Sequence, residues 1–208
     1  LLVVPEDLPD PRDPLFTEEA ATLISEIVQA LRGRAFVLFT SYAMLDNVEE
    51  MIGPALEEAG IRVFRQGAMP RHRMLTCFQE EPGVLFGADS FWQGVDVPGD
   101  ALSCVILTRL PFQVPTNPVY EARMEAFRAQ NIDGFRCYAL PLAVIRFRQG
   151  FGRLIRSSED RGVVVVLDNR LVEKWYGRAF LSSLPKVNIS VEGRCRATDS
   201  VLNWLGRR

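Results

Sequence analysis

Ala35-Phe36-Val37-Leu38-Phe39-Thr40-Ser41-Tyr42 is the stretch on which the fold turns. Five apolar residues run without a polar break, so a strand here must be covered on both faces. An alternating pattern would leave one face wet. Strands buried on both faces belong to parallel sheets with helices above and below. Thr40-Ser41-Tyr42 then ends the strand and starts a helix.

The flanks repeat the pattern. Upstream, Thr17 reads as an N-cap with Glu18 and Glu19 in the first turn. Leu23, Ile24, Ile27, Val28 and Leu31 follow at helical spacing, and Gly33 closes the helix. Downstream, Met44, Leu45, Val48, Met51, Ile52 and Leu56 predict a second helix, interrupted at Gly53-Pro54. Strands are expected at 61–64, 84–87, 102–107 and 162–167, and helices at 70–79 (Leu75 and Phe78 inward), 116–131, 134–148 and 171–181. Residues 1–14 read as an irregular lead-in, 15–190 as the folded domain and 191–208 as a tail. Within that tail Val201, Leu202, Trp204 and Leu205 suit a short docking helix.

Composition sets limits on function. The 208 residues are 48% hydrophobic and 24% charged, enough for one domain with a real core. No apolar run approaches the ~20 residues that span a bilayer. The start at Leu1 has no basic n-region and reads as the cut edge of a longer protein, and four scattered thiols suit the cytosol. Residues 1–60 carry a net charge of −9 and residues 101–208 a net charge of +8. A basic second half suits an anionic partner. Of the 24 basic residues 22 are Arg, and the two lysines, Lys174 and Lys186, stand in Glu-Lys-Trp and Pro-Lys-Val. Neither fits Gly-Lys-Ser/Thr, so this chain holds no nucleotide on a Walker A loop of its own. Cys77, Cys104, Cys137 and Cys195 are too dispersed for Cys-x-x-Cys metal spacing, and the lone His72 argues against a histidine metal site or triad.

In a parallel sheet, ligands sit beyond the carboxyl ends of the strands. Chemistry is therefore expected at 40–42, 88–99 and 108–112, and at a helix start over 149–156. Ser41 suits an N-cap, a phosphate donor, or both. In Gly87 to Gly99, Asp96 is a carboxylate on a turn held by Gly94 and Pro98, able to accept a ribose hydroxyl or an arginine. Phe91 and Trp92 suit core packing or base stacking, and Ser90 suits a backbone phosphate. In Gln149-Gly150-Phe151-Gly152-Arg153-Leu154-Ile155-Arg156, two arginines three apart would share a helix face and form a fork for phosphate oxygens. A solvated basic face is the plainer alternative. Val163 to Asp168 imitates a Walker B strand, but Asn169 stands where Glu is wanted. Asp168 is therefore expected to be structural, paired with Arg170 or another nearby arginine.

These segments resemble a set of helicase motifs. Residues 36–42 look like motif IV, 90–99 like motif V and 149–156 like motif VI. The chain is similar to the C-terminal helicase domain of the DinG/XPD family of superfamily 2 DNA helicases, in its bacterial DinG-like branch. The resemblance implies a three-layer RecA-like α/β domain of the P-loop NTPase type, with a mostly parallel central sheet. It implies the second motor half of an ATP-dependent, 5′-to-3′ DNA helicase. ATP and Mg²⁺ would be held mainly by an N-terminal helicase domain of the same parent, which would also carry any iron–sulfur cluster; no metal site is implied here. Arg153 and Arg156 would be arginine fingers. Gln149, Gly152, Gly94 and Asp96 would line the nucleotide side. Ser41, Tyr42 and Ser90 would touch single-stranded DNA. The isolated chain would hydrolyse no ATP. The alternative is a catalytically silent RecA-like interaction module; a stand-alone Rossmann domain would need Gly-x-Gly-x-x-Gly where Thr40-Ser41-Tyr42-Ala43 stands.

Overall fold

The computed structural model describes residues 1–81, 83–92, 102–113, 118–152, 154 and 161–206. Seven strands form one sheet: β1 (Leu2–Pro5), β2 (Ala35–Phe39), β3 (Arg62–Arg65), β4 (Gly83–Ala88), β5 (Cys104–Leu107), β6 (Val163–Val166) and β7 (Ile189–Glu192), in the order β3-β4-β2-β5-β6-β1-β7. Every pairing is parallel. The α/β architecture expected from the sequence is the one found.

The 35–39 run explains the layering. Ala35, Val37 and Phe39 enter one core with α1 (Phe16–Leu31) and α2 (Tyr42–Glu58). Phe36 and Leu38 enter the other, with Met74 and Phe78 of α3 (Arg71–Glu80) and Ala143, Phe147 and Phe151 of α5 (Leu140–Phe151). Successive side chains of a strand point to opposite faces, so one apolar run feeds both layers. α4 (Pro118–Ala129) buries no residue. Among the described residues no helix is long and apolar enough to cross a membrane.

Several elements differ from the expectation. The segment read as an irregular lead-in holds β1, whose Leu2, Val3 and Val4 are fully buried between β6 and β7. Four apolar residues before a Pro/Asp-rich stretch are too short a signal for a strand, yet two neighbours supply its hydrogen bonds. The edge strand β7 straddles the boundary expected at 190, and the tail then holds α8 (Arg194–Trp204), which starts seven residues earlier than the apolar cluster at 201 suggests. Ala197 and Val201 bury its inner face.

α2 is not interrupted at Gly53-Pro54. It runs through Pro54, with Met44, Leu45, Val48, Ile52 and Leu56 buried on both sides. Burial of that stripe outweighs the one backbone bond proline forgoes. In α3 the inward pair is Met74 and Phe78, with Leu75 only half-buried. The helix expected at 134–148 begins as a π-turn (Phe135–Ala139) before α5. The one expected at 171–181 is two pieces, α6 (Arg170–Glu173) and α7 (Gly177–Leu181). Gly177 permits that break: a Cβ there would lie 1.8 Å from the Leu171 carbonyl oxygen.

Candidate nucleic-acid and motor interface

Parallel pairing aligns the strand ends. Phe39 is level with Ala88, Leu107 with Val166, and Arg65 with Phe86. Whatever follows β2, β3, β4 and β6 therefore emerges along one edge.

Ser41 is the N-cap of α2. Its Oγ accepts from the Met44 N–H at 3.2 Å, with its own backbone extended (φ −150°, ψ 151°). The capping expectation holds, and it puts the positive end of a 17-residue helix at the edge. Tyr42 is 48% exposed. Ser90 is also exposed, in the 3-10 turn Asp89–Trp92 that follows β4.

Gln66 joins the two. It stands one residue beyond β3, and its Oε1 accepts from the Ala88 N–H at 2.7 Å. Its Nε2 donates to the Tyr42 Oη at 2.7 Å and to the Ser90 Oγ at 3.1 Å. One carboxamide ties together the ends of β2, β3 and β4. No sequence expectation fell on Gln66; its one signal is its place, with Gly67, just beyond the carboxyl end of β3.

Trp92 and Phe91 are core residues, each 3% exposed, so neither is free to stack on a base. The Phe91 ring packs edge-on to Phe36 at 6.1 Å and under the Arg71 guanidinium at 5.1 Å. The Trp92 Nε1 donates to the Phe39 carbonyl at 2.7 Å. Its six-membered ring lies on Gly150, where a Cβ would come within 2.9 Å. The glycine makes room for the Trp92 side chain.

Gln149 and Gly152 lie at the end of α5, not at a helix start: α5 ends at Phe151 and Gly152 is its C-cap. Ala143, Phe147 and Phe151 form one buried stripe that belongs to the helix before them. Gln149 is half-buried, and its Oε1 is buried without a hydrogen-bond partner among the described residues. Such an acceptor costs stability until a donor reaches it. Arg153, Arg156, Gly94 and Asp96 lie outside the described residues.

Asp168 has the structural role expected of it. It is fully buried at the end of β6, and its carboxylate grips the Arg170 guanidinium at two points (2.8 and 2.6 Å) and accepts the Leu110 N–H at 2.8 Å. Burial pulls the Arg170 pKa down, but the hydrogen bond and charge of Asp168 together outweigh it and leave it raised. Arg109, two residues beyond β5, is held below its ordinary pKa by burial first and by Arg170 second. Its guanidinium lies 5.0 Å from the Phe16 ring.

Comparison with known proteins follows the same lines. The model of the helicase C-terminal domain matches residues 24–187. The chain is 40% identical over 206 residues to the ATP-dependent DNA helicase YoaA of Haemophilus influenzae, covering 99% of this chain and 31% of that protein. It is 35% identical over 195 residues to the 3'-5' exonuclease DinG of Bacillus subtilis, covering 91% of this chain and 21% of that one. This chain thus spans less than a third of either relative. An XPD helicase structure shares the fold with a TM-score of 0.66 at 16% identity, over 91% of this chain and 35% of that one. These likenesses agree: the chain belongs to the helicase C-terminal domain family, in its DinG/XPD group.

Proposed function

We propose that this chain is the second motor domain of an ATP-dependent DNA helicase, moving 5′-to-3′ on single-stranded DNA. Its partner is an N-terminal helicase domain of the same protein, which holds ATP and Mg²⁺ and any iron–sulfur cluster. Family membership supports this reading, and one observation carries it: Trp92 touches both the end of β2 and the end of α5. A shift at the strand ends that carry Tyr42 and Ser90 is thereby transmitted to the segment that starts at Gln149.

On this reading the edge residues Ser41, Tyr42 and Ser90 face the DNA strand. Gln149, Gly152, Gly94 and Asp96 face the other half, and the unpartnered Gln149 Oε1 fits a donor arriving there. Arg153 and Arg156 stabilise negative charge at the nucleotide, a role that contributes roughly 10³–10⁵ in rate where an arginine finger acts. ATP with Mg²⁺, when bound, supplies the phosphoryl group whose transfer to water drives the motor. This chain's own part is to orient, to stabilise charge and to grip DNA.

The test is hydrolysis by parts. The 208-residue chain alone is expected to turn over no ATP, with or without DNA. The same chain joined to its N-terminal half is expected to be stimulated by single-stranded DNA. Turnover by the chain alone would refute the division of labour. Joined halves that hydrolyse no ATP and bind no DNA would favour a silent interaction module.

A further inference from the structure

The geometry points to Gln66 as a positioning residue that turns the Tyr42 and Ser90 hydroxyls into a paired phosphate clamp for single-stranded DNA. The inference rests on the function proposed above and adds the residue and the chemical group recognised.

The orientation of the Gln66 carboxamide is fixed by chemistry. The Ala88 N–H is a donor, so the Gln66 atom 2.7 Å away must be the oxygen. The NH₂ group therefore faces the two hydroxyls and spends one hydrogen on each. A hydroxyl that accepts still has one hydrogen to give. Among the described residues, neither Tyr42 nor Ser90 donates that hydrogen to anything. Both side chains are exposed. Gln66 thus converts two ambivalent groups into two outward donors on neighbouring strand ends. A pair of fixed donors matches an acceptor-only group with several oxygens, which is a phosphodiester. Bases carry donors as well as acceptors and would meet this pair less uniformly. The N-terminus of α2, capped by Ser41, adds positive potential beside the pair.

The experiment is a thermodynamic cycle on the protein that carries this chain together with its N-terminal half. Affinity is measured for oligo-dT and for an abasic oligonucleotide of equal length. Gln66→Met keeps the side chain's length and removes its hydrogen bonds. It is expected to weaken binding about tenfold, the scale of a lost charge-assisted hydrogen bond, and equally on both ligands. In a Tyr42→Phe, Ser90→Ala background the same change is expected to have no further effect. A residue that merely supports the fold would weaken both backgrounds alike, and that additive result would overturn the proposal. Loss confined to oligo-dT would overturn it too, because bases would then be the target. Should Gln66→Met not fold, Tyr42→Phe with Ser90→Ala carries the test: unchanged affinity for abasic DNA overturns the clamp, and a loss of about tenfold or more on that ligand upholds it. A parent protein that binds no single-stranded DNA at all would refute the proposed function itself.

Discussion

Trp92 rests its ring on Gly150 at a distance that leaves no room for a Cβ, which would approach within 2.9 Å, while its Nε1 donates to the Phe39 carbonyl at 2.7 Å. Two segments 58 residues apart, each singled out for chemistry, are therefore one packing unit. The contact explains why glycine stands at 150.

Gly150→Ala tests that unit. A methyl pressed on a rigid indole forces a shift, and overpacking of this kind costs about 1–3 kcal/mol. Chemical denaturation should report a loss in that range. Trp92→Leu in the same chain should recover part of it by opening space. If Gly150→Ala leaves stability unchanged, the two segments are not packed as described.

Asp168→Asn tests the buried pair. The variant removes the charge that holds Arg170 and leaves a largely buried guanidinium without its partner. Breaking such a pair costs about 3 kcal/mol or more. Asp168 is fully buried while the Arg170 side chain keeps 18% exposure, so the lower end of that range is expected. A fall in the denaturation midpoint too small to measure would contradict the anchoring role.

Cysteine reactivity tests the core. Cys104 is fully buried in β5, and burial pushes its thiol up to about 12. Cys137 and Cys195 are exposed. Alkylation of the native protein near neutral pH should label the last two quickly and spare Cys104 until unfolding, as read by peptide mass spectrometry. The sign of the pH effect follows. The folded thiol keeps its proton to a higher pH than the unfolded one, so its contribution to stability is intact below the unfolded pKa of 9.0. It is lost as pH rises from there toward about 12. Rapid labelling of Cys104 in the native state would overturn the placement of β5.

The parts of the fold that the sequence revealed are those with dense local signal. Ala35 to Phe39 and Val163 to Val166 are unbroken apolar runs, and each is a strand buried on both faces. Leu2–Pro5 and Ile189–Glu192 carry little local signal. The first is cut short by proline, and the second is an edge strand with Ile189 and Val191 exposed. Partners distant in sequence, not local preference, make them strands. The site was legible in its residue types but less so in its geometry. Glycines and arginines at 149–156 suit either end of a helix, and only the Ala143-Phe147-Phe151 stripe assigns Gln149 and Gly152 to the end of α5. Gln66 has only the weak signal of its place just after β3, because its importance comes from three strand ends meeting at one amide.

The central claim is that this domain completes an ATPase whose nucleotide is held elsewhere. The most direct measurement is DNA-stimulated hydrolysis by the protein with both halves, carrying Arg156→Ala, alongside nucleotide affinity. The expected result is turnover reduced by about 10³ or more with nucleotide binding nearly intact. Turnover within a few-fold of the unaltered protein would contradict the account.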